Sequence, residues 1–327
     1  MRMSAPTDPA SIDLDTLDLT DPGFYSDGEP HAAWHALRER APVRRYTNKA
    51  GIDYWVVTKF TDVENVLKNH RQFTAQRGNM LHMLGTEDPA GGHQMAVTDP
   101  PRHTKMRAPL THALLMRSVE QRTERIRDLI LQMIEPWKSG EPFDFAAATA
   151  TFPMAVSGDL MELPEEDWPR LTHLTTCSIA ADDLEFQLPE GPEETLRQAH
   201  RDLFSYFQSI VIRRRRDPGS DLISLLLTIE ADGQRLTPSQ VVSNCYSLLL
   251  GANVTTPQIA NAALLHLIEQ GSYQAWASQP DLIQSGVEEA LRWSSPASHF
   301  VRYAIKPVTL RGVDIDEGDP VVVWVGS

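Results

Sequence analysis

Near the middle of a long apolar run, Leu248-Leu249-Leu250-Gly251-Ala252-Asn253-Val254-Thr255-Thr256 sets a glycine and two hydroxyl side chains where a core helix would carry hydrocarbon. Gly251 and Ala252 are small, so the helix backbone can approach a flat ligand closely. Pro257 has no N–H, so it cannot bond the carbonyl of Asn253 one turn back, and that carbonyl would welcome an ordered water. Further on, Glu289 and Arg292 stand three apart and share one helix face. His103 and Arg107 stand four apart after Pro100-Pro101, so both project from one face and can meet a paired anion. On spacing alone, a solvated basic face is the better reading of that last pair, and an ordinary kinked core helix the better reading of the first stretch. Arg302 interrupts the β-like run Phe300-Val301-Arg302-Tyr303-Ala304, where an arginine is costly to bury without a partner.

Helices must position most of these groups. Apolar periodicity predicts them over 102–115, 119–137, 152–161, 166–180, 193–215, 222–230 and 238–269, with a short one at 30–40. Pro109 should kink or end its helix beyond His103 and Arg107. Strands are expected at 43–46, 54–58, 308–310 and 319–325, with a turn at Asp316-Glu317-Gly318. A helix follows the second strand after a cap at Thr61 or Asp62. Residues 76–97 hold four glycines, Pro89 and several methionines, which reads as a loop or a weak short helix.

The chain has 327 residues, enough for a large core. Length alone suggests about two domains at roughly 150 residues each, but a mainly helical fold of this size breaks that prior, and one domain is expected. Asp+Glu 44 against Lys+Arg 30 gives a net charge of -14, which argues against nucleic acid as a partner. Two cysteines, Cys177 and Cys245, give no disulfide framework and point to a reducing compartment, so a cytoplasmic location is expected. Residues 1–21 lack the basic start and apolar run of a signal peptide. Residues 241–268 are broken by Asn244, Asn253, Pro257, Gln258, Asn261 and His266, which predicts a buried helix rather than a membrane span.

In order and spacing, these segments resemble the cytochrome P450 monooxygenases of the soluble bacterial kind. The resemblance runs from Trp55-Val56-Val57-Thr58 through Asp99-Pro100-Pro101-Arg102-His103-Thr104-Lys105-Met106-Arg107 and Arg215-Arg216-Asp217-Pro218-Gly219-Ser220-Asp221-Leu222-Ile223 to the last strand. It implies a mainly α fold with small β-sheets (α+β), in a single incomplete domain over 1–327. It also implies heme b (iron protoporphyrin IX), with dioxygen as co-substrate. His103, Arg107 and Arg302 match residues that hold haem propionates, and Ala252 lies against the cofactor. Thr255 matches the oxygen-side threonine. Glu289 and Arg292 match the ExxR pair, which is buried scaffold on the proximal side; a surface pair of this spacing would matter little, a buried one far more.

Two departures from the family pattern bear on mechanism. Val254 stands where most relatives carry an acid that relays protons. Three routes stay open: Asn253 with the freed carbonyl and water, a hydroxyl on the substrate, or slow delivery with poor coupling. The Phe-x-x-Gly-x-x-x-Cys loop that supplies the thiolate ligand is absent, and neither cysteine stands in such a loop. The ligand is therefore expected beyond Ser327, with this chain the N-terminal and central part of a longer enzyme.

Family geometry predicts a pocket lined by 76–97, 172–188, 296–300 and Leu250, Asn253 and Val254. Met80, Met83, Leu250 and Phe300 would make it apolar, with Ser298, His299 and Asn253 as polar anchors, suiting a medium-sized hydrophobic metabolite. No dinucleotide fingerprint is present, so electrons are expected from NAD(P)H through ferredoxin reductase and ferredoxin. Arg102, Lys105 and Arg117 could form a basic patch for the acidic donor. The Arg213–Arg216 run reads as a solvated helix end. The competing expectation is a haem-free or inactive chain that binds a hydrophobic ligand or a protein partner.

Overall fold

A computed structural model describes residues 8–26, 30–114 and 122–327. These divide into two compact units, Met1–Pro100 with Ala297–Ser327, and Pro101–Pro296.

The first unit begins with α1 (Pro22–Ser26), α2 (Pro30–Arg40), β1 (Val43–Thr47), β2 (Asp53–Val57), α3 (Phe60–Lys68) and β3 (Phe73–Thr74). No side chain caps α3; Asp62 lies in its first turn and pairs with Arg311, which corrects the expected cap at Thr61 or Asp62. Residues 76–97 are irregular apart from single 3-10 turns at Leu81–Met83 and Met95–Val97, as their glycine content predicts.

The second unit carries α4 (Arg102–Ala113), α5 (Thr123–Ile134), α6 (Phe145–Ala150), α7 (Phe152–Leu160), α8 (Trp168–Cys177), α9 (Pro192–Arg216) and α10 (Leu222–Leu226). A small hairpin, β4 (Glu230–Ala231) and β5 (Gln234–Arg235), precedes α11 (Pro238–Glu269), α12 (Tyr273–Ala277) and α13 (Ile283–Ser294). The predicted helical positions 115 and 119–121 lie outside the described residues. Pro109 sits inside α4, which continues to Ala113, so it does not end the helix. α10 stops at Leu226 rather than 230. Asp232 and Gly233, at φ 57° and 77°, turn the chain into the hairpin, a tight Asp-Gly turn that helix periodicity had hidden.

α11 has its bounds written in its ends. Thr237 and Gln240 form a reciprocal capping box, with Thr237 N donating to Gln240 Oε1 at 2.9 Å, and Pro238 occupies the first turn. Gly271, at φ 63°, follows its end. Val241, Val242, Cys245 and Leu249 bury one face, and α6, α7, α8, α9 and α13 pack around the helix.

The chain then returns to the first unit through β6 (His299–Ala304), β7 (Val308–Leu310), β8 (Val313–Ile315) and β9 (Pro320–Trp324). The five-stranded sheet runs β1-β2-β9-β6-β3, with β2 and β9 parallel and β6 and β9 antiparallel. Both faces are covered, one by a core around Trp34, Leu37, Tyr54, Val301, Tyr303 and Trp324, the other around Val57, Val66, Phe73, Val321 and Val323. Burying each such side chain contributes about 1.5–3 kcal/mol before entropy is counted. That double cover explains why β9 reads as an unbroken Val-Val-Val-Trp run instead of alternating. Among the described residues, no helix is long and apolar enough to cross a membrane.

Candidate active site

In the helical unit, α11 presents Thr255 on the face opposite Asn253, because two residues subtend about 200° on a helix. Thr255 Oγ1 donates to Gly251 O at 2.9 Å. Gly251 is exposed, and a Cβ built on it would meet nothing within 4 Å, so the helix offers bare backbone one turn before Thr255. Leu250, Ala252 and Val254 are half-buried.

Asn253 departs from the expectation. It is 6% exposed, and its Nδ2 donates to Leu249 O at 2.7 Å and to Ser157 Oγ on α7 at 3.1 Å. Its Nδ2 is committed to the α7 side, on the face of α11 opposite Thr255. Ser157 gave no signal in the sequence, since a serine within a short helix is unremarkable.

On α4, His103 is half-buried and Arg107 exposed, one turn apart as their spacing demands. Arg107 makes no ion pair among the described residues. Arg102 and Lys105, by contrast, both reach Asp232 at the tip of the β4–β5 hairpin, at 2.7 and 2.9 Å. Hydrogen bonds from Lys105 and Arg102 hold the Asp232 carboxyl below its ordinary value. Two cations tied to one carboxylate leave little free basic patch, which corrects the expected docking surface; Arg117 lies outside the described residues.

Glu289 and Arg292 form a two-point pair, with Nε to Oε2 at 2.7 Å and Nη2 to Oε1 at 2.6 Å. The pair is made but open, the side chains being 59% and 66% exposed, because the α13 face that carries them is uncovered. The expected burial is therefore not found. Nor is the Arg213–Arg216 run wholly solvated. Arg214 is only 14% exposed and lies 2.9 Å from the fully buried Asp221 and 3.1 Å from Glu162.

In the sheet unit, β6 carries the other predicted site residues. Successive strand residues point to opposite faces, and so His299 lies over Trp324, ring centroids 5.1 Å apart, while Phe300 packs into the core around Val57 and Val323. His299 and Phe300 thus cannot line one pocket together. Ser298 Oγ lies 3.0 Å from His299 Nδ1. Burial, and then the nearby His82, hold the His299 imidazole down at about 4, so it is neutral at physiological pH. Met80 is 37% exposed and Met83 half-buried, both in the 76–97 segment. Arg302 is half-buried; its Nη1 donates to Val301 O at 2.8 Å, and burial pulls its guanidinium below the ordinary value while Asp99 opposes the shift. Asp99 is already engaged by the Thr74 hydroxyl and by Ala75 N at 3.0 Å.

The residues can be tested against a haem on these facts. In the sheet unit the half-buried Arg302 suits an anionic propionate; in the helical unit, taken by itself, Arg107, without an ion pair among the described residues, suits one too, and the open backbone at Gly251 suits a flat ring. The cysteines do not suit an axial thiolate. Cys245 is fully buried in α11, where burial pushes its thiol up, and Cys177 is 4% exposed, with its Sγ 3.6 Å from Phe186 O. The chain's own residues fit the periphery of the cofactor but provide no thiolate for its iron.

Set beside known proteins, the chain belongs to the cytochrome P450 family, whose members are haem-dependent monooxygenases and oxidoreductases that use dioxygen. It is 30% identical over 322 residues to cytochrome P450 NovI of Streptomyces niveus, covering 96% of this chain and 77% of that protein. Linalool 8-monooxygenase of Pseudomonas putida is 27% identical, over 96% of this chain and 79% of its own. Among solved structures, the Mycobacterium marinum cytochrome P450 CYP268A2 in complex with pseudoionone superposes with a TM-score of 0.86 at 26% identity, covering 97% of this chain and 80% of that one. No protein-family model matches the sequence. The mainly helical fold with small sheets is the P450 fold.

Proposed function

We propose that this chain belongs to a single-domain haem b monooxygenase that places one oxygen atom in a medium-sized hydrophobic metabolite, by hydroxylation or epoxidation. The observation that carries the reading is α11, an unbroken helix that sets Thr255 one turn after the open backbone of Gly251. Linalool 8-monooxygenase supports the metabolite class by its name, and the pseudoionone bound to CYP268A2 is of suitable size and polarity. Electrons come from NAD(P)H through ferredoxin reductase and ferredoxin, in the cytoplasm.

His103, Arg107 and Arg302 hold the propionates, and Ala252 lies against the ring. With its thiolate ligand, the bound haem supplies dioxygen cleavage, one atom entering the substrate and the other leaving as water with two electrons and two protons. Thr255 holds a proton at Oγ1, turning its hydroxyl from Gly251 O toward the reacting oxygen. Val254 carries no proton, so water or a substrate hydroxyl feeds Thr255. Met80, Met83 and Leu250 exclude bulk water and orient an apolar substrate, while neutral His299 with Ser298 offers one hydrogen-bonding edge.

A second reading, a haem-free chain that binds a hydrophobic ligand or a protein, is favoured by one observation: neither buried cysteine suits the iron. The carbon monoxide difference spectrum of the reduced chain, expressed with ample haem, separates the two. A thiolate-type Soret band is the expected signature of the complete haem site; its absence from this chain, and from a version extended downstream, would sink the monooxygenase reading.

A further inference from the structure

The turn of α11 that carries Thr255 lacks one backbone N–H donor, at Pro257, and carries two side-chain bonds to backbone carbonyls. Asn253 Nδ2 draws on Leu249 O at 2.7 Å, and Thr255 Oγ1 draws on Gly251 O at 2.9 Å. Pro257, inside the helix, offers no N–H to Asn253 O. Side-chain back-bonding and internal proline both bend helices. Residues 253, 257 and 261 recur every four positions and so share one face, and that face is tied to neighbouring helices on either side of the proline. Asn253 Nδ2 donates to Ser157 Oγ on α7 at 3.1 Å; Thr149 Oγ1 on α6 donates to Asn261 Oδ1 at 2.9 Å. Ser157 gives its own hydroxyl proton to Pro153 O at 2.8 Å, so the lone pair it turns to Asn253 is set by α7 itself.

Among the described residues, Asn253 Oδ1 is buried with no hydrogen-bond donor. A leucine would fill the same space without an orphaned acceptor, so packing alone does not account for an asparagine here. The geometry points to Ser157 as a positioning residue: through Asn253 it fixes the proline-bearing turn of α11 and thereby the direction in which Thr255 presents its hydroxyl. The inference rests on the reading of Thr255 as the oxygen-side hydroxyl. Ser157 touches neither substrate nor cofactor in this role.

Amide hydrogen exchange of the full chain tests the tie without any cofactor. Ser157→Ala is expected to speed exchange at least tenfold at residues 253–256 and 258, leaving 241–249 unchanged. Asn253→Ala should do the same, the double variant should add nothing, and Ser157→Thr should restore protection. Thr149→Val should act on the turn around Asn261 instead. Asn253→Leu, which keeps the γ-branched shape and removes the donor, gives the same reading where Ser157→Ala does not fold. Unchanged exchange, a uniform rise along α11, or additive effects in the double variant would each overturn the tie. In the haem-loaded protein Ser157→Ala should move electrons from product to peroxide in the same direction as Thr255→Ala. Faster exchange with an unmoved partition would overturn the link to Thr255 and leave the monooxygenase reading standing.

Discussion

Two arginine–carboxylate pairs in the helical unit have the same chemistry and opposite surroundings. Arg214 and Asp221, joining the end of α9 to the start of α10, are 14% and 0% exposed, whereas Arg292 and Glu289 on α13 are 66% and 59% exposed. The same contrast divides α11, whose first half buries Val241, Val242, Cys245 and Leu249 while Leu265 and Ile268 near its end are open, as are Val287, Leu291 and Trp293 on α13. Within the helical unit, burial around α11 is therefore concentrated on its α9–α10 side. The α13 side is organised locally, by the two-point Glu289–Arg292 pair and by a tilted contact of Trp293 with His266, ring centroids 4.6 Å apart, without a core of its own among the described residues.

The sharpest way to break that contrast is Asp221→Ala. Asp221 accepts from Ile223 N at 3.0 Å, Ser224 N at 3.2 Å and Ser224 Oγ at 2.7 Å as the cap of α10, and it faces Arg214. Its loss strands a nearly buried guanidinium and uncaps a helix together, so denaturant unfolding should show a loss of about 3–5 kcal/mol. A loss below about 1 kcal/mol, the range of an exposed pair, would mean that the two pairs are equivalent after all.

Truncating leucines on the two sides gives the next largest difference. Leu249→Ala, at a position with no exposed surface, is expected to cost about 2–5 kcal/mol. Leu291→Ala, at a position 42% exposed, should fall within about 0.5 kcal/mol of the parent. Equal costs in chemical denaturation would show that the α13 side has a core.

The sheet unit supplies a titrating probe for the same comparison. His299 sits at about 4 when folded against an ordinary 6.5. Between those values the unfolded chain binds the extra proton, so stability rises with pH through the window and is lost as pH falls from 6.5 toward 4. At 1.36 kcal/mol per unit, and discounted for partial exposure, the loss is on the order of 2 kcal/mol. His299→Gln should flatten that part of the stability–pH curve relative to the parent, whereas identical curves would show that the imidazole is not held neutral by its surroundings.

How much of this was readable in the residues follows the same physical division. α11 was legible to the residue because Thr237, Gln240, Pro238 and Gly271 are local signals that need no tertiary knowledge. The β4–β5 hairpin was overlooked although Asp232-Gly233 announces it, since an apolar 222–229 run suggested a longer helix. Of the candidate site, the positions on α4 and α11 came from spacing and family likeness. Tertiary partners did not: Asp232 lies 130 and 127 residues from Arg102 and Lys105, Ser157 96 from Asn253, and Asp221 7 from Arg214. Even the nearest of these depends on how the chain turns after α9, and no periodicity encodes that. The pleat of β6, which sends His299 and Phe300 apart, was available from alternation alone once the strand was recognised.

The smallest effect is the most discriminating for the α13 side. Glu289 is held below its ordinary value first by its hydrogen bonds from Arg292, and both groups are largely exposed. A carboxylate lowered in this way contributes stability only above its unfolded value and loses it as pH falls through the folded one; solvent screening keeps that contribution small. Glu289→Ala in this chain should therefore leave the denaturant midpoint where it is at pH 7, and salt should change nothing further. In a version extended downstream to the length of its relatives, the same substitution becomes a test of the scaffold role that the ExxR resemblance implies: if added residues bury Arg292, removing Glu289 strands a charge and the protein unfolds at markedly lower denaturant. Equal insensitivity in both chains would remove Glu289 and Arg292 from the scaffold and leave them as a surface pair.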